Sequence, residues 1–231
     1  DMTRAPQPAE LTQVTTETVA QGLPQLWSLE FLPDGRMLVS AKAGAMHIIG
    51  TDGKAGDPIA GVPQVYAEGQ GGLLDLALAP DFATSSLVFF SFAEPREGGN
   101  GTSVAKGRLV LGEGNSATLD NVEVIFRQMP TYNGRLHFGS RLVFGTQGEL
   151  FVTVGERSDV ETRVLAQDIT TGLGKVFRMD TDGQPLPDNP FVGEAGAVPP
   201  IWGDGHRQAQ AGGPPAPGPR GAAVPRPPRG A

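Results

Sequence analysis

Short apolar runs, broken repeatedly by Gly, Pro and Asp, organise most of this chain. The clearest unit spans residues 27–40, where Trp27-Ser-Leu-Glu-Phe-Leu meets Pro33-Asp34-Gly35 and then Arg-Met-Leu-Val-Ser40. Two β-rich runs around a Pro-Asp-Gly turn predict a hairpin. The phrase returns. Residues 76–82 lead into Leu87-Val-Phe-Phe-Ser-Phe92, residues 141–154 read strand–turn–strand, and residues 174–183 read as a strand ending in a turn. A further pair is expected around residues 45–50 and 51–54, and alternation over residues 11–19 predicts an edge strand. A short helix is predicted over residues 160–168, because Val160, Val164 and Leu165 stand at helical spacing. The β-rich openings at Phe31, Leu78 and Phe144 are irregularly spaced, so loops of different length interrupt the repeat. The fold class expected is all-β, a β-propeller of recurring sheet units, with a plain β-sandwich as the competing architecture.

Composition narrows the function classes. The 231 residues are 39% hydrophobic, enough for a real core, and 33 Gly with 21 Pro suit a turn-rich, strand-rich chain. A net charge of -7 argues against nucleic acid or an anionic membrane as partner. With no Cys, thiolate chemistry, Cys-based zinc sites and disulfides are excluded. No apolar run reaches the roughly 18 residues of a membrane span. Residues 1–10 lack the basic-then-apolar pattern of a signal peptide, and a first residue other than Met hints at a removed leader.

The last stretch, residues 211–231, holds five Gly, seven Pro, five Ala, three Arg and one Val, and nothing else. Such a segment cannot pack a core and is expected to be a disordered tail. Ala, Gly, Pro and Arg share G/C-rich codons, so a frameshift near residues 208–211 is the expected origin, with a genuine disordered tail as the alternative.

Candidate chemistry rests on few residues. His47, in an apolar alternation, reads as a structural strand histidine. His137 follows a turn signal and precedes a strand, where a loop can present a general base, although a structural role is the commoner fate of such a residue. His206 also lies on a loop, and its neighbour Arg207 could hold an anion by two parallel hydrogen bonds. Gly69-Gln-Gly-Gly72 and Gly172-Leu-Gly-Lys175 both lack the phosphate-loop pattern, and Asp180-Thr-Asp-Gly183 reads as a hairpin turn rather than a calcium loop.

Several segments, taken in order, resemble the soluble aldose sugar dehydrogenase branch of the pyrroloquinoline-quinone (PQQ)-dependent glucose/sorbosone dehydrogenase family. They are Trp27-Ser-Leu-Glu-Phe-Leu-Pro-Asp-Gly35, Gly69-Gln-Gly-Gly-Leu-Leu-Asp-Leu-Ala-Leu-Ala-Pro-Asp-Phe82 and Val124-Ile-Phe-Arg-Gln-Met-Pro130. To these add His137-Phe-Gly-Ser-Arg-Leu-Val-Phe144, Gly148-Glu-Leu-Phe-Val-Thr-Val-Gly-Glu156, Ala166-Gln-Asp168, Gly174-Lys-Val-Phe-Arg178 and Asp188-Asn-Pro-Phe191.

The resemblance implies a six-bladed propeller, of which residues 23–210 form about the first half, preceded by a polar segment at 1–22. It implies PQQ over the central channel with calcium bound to it, His137 as general base, and Gln70, Arg207 and Gln208 as cofactor contacts. Gln208 stands where the family has Asn, and Leu136 where a small or polar residue is expected. No metal ligand is assigned, because the later blades that supply the calcium ligands have no counterpart here. The implied function is oxidation of an aldose at C1 to the lactone, in a periplasmic setting, with an external electron acceptor. A half-ring with an unpaired edge is expected to be poorly stable and inactive. A non-enzymatic propeller binding module and a non-functional gene fragment are the alternatives.

Overall fold

The computed structural model describes residues 13–208, so the tail at 211–231 and the first twelve residues lie outside it. Three antiparallel sheets follow one another along the chain. The first has the order β1-β2-β3, built from Leu26–Phe31, Met37–Ala41 and Ala45–Ile49. The second runs β4-β5-β6-β7, from Leu73–Leu78, Leu87–Arg96, Gly99–Leu111 and Ala117–Arg127. The third runs β8-β9-β10-β11, from Gly139–Phe144, Leu150–Val154, Lys175–Met179 and Ile201–Gly203. Each is a meander in which every strand pairs with its sequence neighbour, and the first strands β1, β4 and β8 lie side by side.

The expected hairpin is present. Gly35 takes φ +85 and returns its N–H to Leu32 O, while Asp34 accepts the Arg36 N–H at 3.0 Å. Both faces of the second sheet are covered, which explains the unbroken apolar run in β5. Phe90 and Phe92 pack with Leu38, Met46 and Ile48 of the first sheet. Phe89 points the other way, towards Val152 and Phe177 of the third.

Several expectations need correction. Residues 13–19 form no strand and are exposed, because they pair with no sheet edge, and residues 11–12 lie outside the described chain. Residues 51–54 are a turn after β3, with Gly53 at φ +77 and Asp52 accepting the Lys54 N–H. The helix expected over 160–168 is a four-residue helix Val160–Arg163 continued by a 3₁₀ turn Val164–Gln167, and a separate four-residue helix, Phe82–Ser85, precedes β5. Val160 and Val164 are exposed there, so their helical spacing marks no core face.

One polar knot ties the inner strands together. The buried Asp75 carboxylate of β4 accepts the Ser28 hydroxyl of β1 at 2.7 Å, and on the other side Arg141 Nη1 at 2.8 Å and the Leu142 N–H at 2.7 Å. Ser40 reaches Leu74 O at 2.6 Å and Ser91 reaches Ser140 O at 2.7 Å, so hydroxyls bridge the same two junctions. Burial pushes the Asp75 carboxyl up, opposed by the Leu142 N–H, the Ser28 hydroxyl and Arg141. Removing that carboxylate orphans donors from both neighbouring sheets. Asp75→Ala is expected to cost about 3 kcal/mol, measured by urea unfolding; a change below about 0.5 kcal/mol would contradict the knot's role.

Candidate active site

Two loops meet back to back beside the first strands. One precedes β8 and carries His137, held at φ +48; the other follows β9 and carries Glu156. Gly155 lets them touch, since a Cβ there would stand 2.1 Å from His137 O. The Gly155 N–H closes the contact on Phe138 O at 3.1 Å.

Glu156 is 2% exposed and is surrounded by donors. Its Oε1 accepts from His137 Nδ1 at 3.0 Å, its Oε2 accepts the Ser158 N–H, and Arg207 Nε lies 3.7 Å from Oε1. An ionised carboxylate only accepts, so the proton of this contact sits on Nδ1. The lone pair of the neutral ring is then on Nε2, which takes no hydrogen bond among the described residues. By contrast His47, buried in β3, shares its Nδ1 with Gly56 O at 3.0 Å, as a structural strand histidine should.

The other expected residues fall around this pair. Gln70 Oε1 accepts the His137 N–H at 2.9 Å, and the Gln70 N–H donates to Arg135 O at 2.7 Å. Gly69 permits that approach, because a Cβ there would lie 2.3 Å from Arg135 O. Arg207 is tied at its backbone, where Arg207 O accepts the Glu156 N–H at 3.0 Å, while its side chain is 72% exposed. Gln208 follows it and, among the described residues, buries Oε1 without a hydrogen-bond partner. Gln70, His137 and Arg207 are thus brought together through Glu156 and the His137 backbone. His206 joins a different contact, donating its N–H to Gly174 O at 3.1 Å and packing its ring by Gly203. The turn reading of Asp180-Thr-Asp-Gly183 holds, with Asp180 Oδ1 accepting the N–H groups of Asp182 and Gln184.

Sequence reasoning missed Glu156 and Arg157. The buried Arg157 guanidinium binds Leu136 O at 3.0 Å, Gly134 O at 2.6 Å and Asn100 Oδ1 at 2.7 Å, and lies 4.0 Å over the Phe138 ring. It grips the 134–136 segment that leads into His137, which gives Leu136 a role through its carbonyl. Burial pulls Arg157 down to about 10. Nothing in the sequence around the Glu156-Arg157 pair, one Gly after β9, announced its burial.

Burial, with help from Lys175 and against Asp204, lowers the His206 imidazole. Its folded value lies below the unfolded one, so the unfolded chain takes up a proton first as pH falls below about 6.5. Thermal stability is therefore expected to fall from about pH 7 to about pH 5, and to fall less in His206→Gln. Equal slopes in the two proteins would contradict this.

Against known proteins, the family described as Glucose / Sorbosone dehydrogenase matches residues 23–213. Aldose sugar dehydrogenase YliI of Escherichia coli (strain K12) is 39% identical over 199 residues, 85% of this chain and 52% of that protein. A crystal structure of a glucose dehydrogenase superposes with TM-score 0.80 at 45% identity, covering 84% of this chain and 55% of that one. The PQQ-bound aldose sugar dehydrogenase of Streptomyces coelicolor gives TM-score 0.71 at 32% identity, covering 87% and 56%. The chain spans about half the length of the curated relatives it matches. Matched across most of its length and in the packing of its three sheets, this chain belongs to the glucose/sorbosone dehydrogenase family.

Proposed function

We propose that this chain supplies the proton-abstracting part of a PQQ-dependent aldose dehydrogenase that oxidises the sugar at C1 to the lactone. The carrying observation is the His137–Glu156 pair, which fixes the imidazole from behind and leaves Nε2 to the site. Glu156 would hold the ring's tautomer and stabilise the imidazolium that forms when Nε2 takes the anomeric hydroxyl proton. The Gln70 amide fixes the His137 backbone, so the ring is oriented from both ends.

The residues present fit the cofactor. Arg207 offers an exposed guanidinium suited to an anionic ligand, and the buried, unpartnered Gln208 Oε1 calls for a donor, which the ring N–H of PQQ can provide. Gln70 commits Oε1 to His137, and its amide nitrogen remains to contact the ligand. Bound PQQ would supply the two-electron acceptor for the hydride from C1. Arg207 would lend positive charge beside it. For calcium no ligand is assigned here: among the described residues no group of three or more His, Asp or Glu side chains gathers to hold a metal ion.

The wider reading is that the three sheets are half of a six-bladed propeller in a periplasmic enzyme that passes electrons to an external acceptor. The half-length match to relatives and the side-by-side sheets support the ring. No helix among the described residues is long and apolar enough to cross a membrane.

The test is aldose oxidation with added PQQ, by the chain and by a chimaera in which residues 23–208 replace the matching segment of the E. coli relative. The chimaera is expected to turn over, and His137→Ala to lower kcat about 10³-fold with PQQ affinity kept. A variant that keeps full turnover would overturn the base assignment. Arg207→Ala is expected to weaken PQQ binding about tenfold, followed by ligand absorbance, while the Asp75-dependent stability stays unchanged.

A further inference from the structure

A buried lysine outside this chemistry sits under the segment that presents Arg207. Lys175 opens β10 with its side chain fully buried, and all three ammonium protons go to backbone carbonyls: Leu173 O at 2.6 Å, Ala166 O at 2.8 Å and Leu165 O at 3.0 Å. Two of these are carbonyls of the 3₁₀ turn Val164–Gln167, which the ammonium shares with the Asp168 N–H on Leu165 O and the Gly205 N–H on Ala166 O. Among the described residues no carboxylate pairs directly with the ammonium. Asp204 and Asp168 act on it from further off and hold it up, while burial pulls it down to about 8; His206 is the other titratable group it acts on.

The same backbone groups carry the 204–207 strap. The Gly205 N–H donates to Ala166 O at 2.7 Å and the His206 N–H to Gly174 O at 3.1 Å. The strap lies directly on Gly174, where a Cβ would stand 2.4 Å from His206 O and 2.7 Å from Ala166 Cβ. Gly174 in turn donates its N–H to Gly155 O, and Glu156 donates its N–H to Arg207 O. A continuous path of hydrogen bonds therefore runs from the Lys175 ammonium, through the 3₁₀ turn and the strap, to the Glu156–Arg207 junction.

We propose that Lys175 is a positioning residue: its ammonium acts as an internal cation that clamps the 3₁₀ turn to the start of β10, and so sets the strap that presents Arg207. Its clamp on the strap stands on the geometry alone; its consequence for the cofactor rests on the reading of Arg207 given above. Neutral acceptors are what make the ammonium fit. Three carbonyls can hold a compact cation with three donors, whereas a planar guanidinium would not match them.

The experiment is hydrogen exchange on the full chain, comparing wild type with Lys175→Met, which keeps most of the stem and loses the charge and donors. The Gly205 and His206 amides are expected to exchange at least about tenfold faster, while amides of β5 and β6 stay within about twofold of wild type. In Lys175→Ala, added propylammonium, which matches the deleted atoms, is expected to restore slow exchange; methyl acetate of similar size should not. If Lys175→Ala does not fold, Lys175→Met alone decides. Unchanged exchange at Gly205 and His206, or equal acceleration across all three sheets, overturns the proposal. PQQ titration is read in parallel: about tenfold weaker binding in Lys175→Met is expected. Should wild type itself not bind PQQ, the cofactor reading fails, while the exchange pattern still decides what Lys175 does.

Discussion

A carboxylate taken out of water must be met by donors, and in this protein Glu156 is met by three parts of the chain at once. The imidazole of His137, the backbone of Ser158 and the guanidinium of Arg207 converge on its two oxygens. Its own N–H meanwhile fixes Arg207 O. The positions of the candidate base and of the exposed cation are therefore not independent. Each is set by the need to satisfy one buried charge, and removing that charge would free both. Asp75 plays the matching part in the scaffold, gathering Ser28, Arg141 and the Leu142 N–H across two sheet junctions. One buried acid holds the sheets in place, and the other holds the chemistry.

The scaffold was legible where local rules suffice. Pro33-Asp34-Gly35 between two apolar runs specifies a hairpin through backbone conformation alone, and the run at 87–92 announced a strand, which the structure buries on both faces. β6 and β7 were far harder to read. β6 carries Gly99, Gly101 and Gly107 together with Lys106 and Arg108, so its apolar period is diluted, and its length comes from pairing with β5 along ten positions. Over residues 13–19 the alternation erred for the complementary reason: a pattern can suit a strand, yet these residues pair with no sheet and stay exposed.

The site was half legible. His137, Gln70 and Arg207 were reached through the resemblance, and the structure sets them around one carboxylate. Glu156 escaped notice because a carboxylate after a strand reads as a solvated surface charge; only its burial, a tertiary property, marks it out. Arg157 and Lys175 escaped for the same reason. Both spend their donors on backbone carbonyls far along the chain, and no spacing in the sequence encodes such partners. Gln208, flagged as a departure from Asn, buries its amide oxygen with no partner among the described residues, so the departure falls on an atom that needs one.

The central claim is that Glu156 holds His137 with its proton on Nδ1 and its lone pair on Nε2, ready to take a proton from substrate. Nitrogen-15 NMR of the labelled chain, at a pH where the ring is neutral, reads that tautomer directly. The expected result is protonated Nδ1 and unprotonated Nε2 for His137 in wild type, with the two forms mixed in Glu156→Ala. A neutral His137 carrying its proton on Nε2 in wild type would contradict the account, since the site would then present a donor where a base is required.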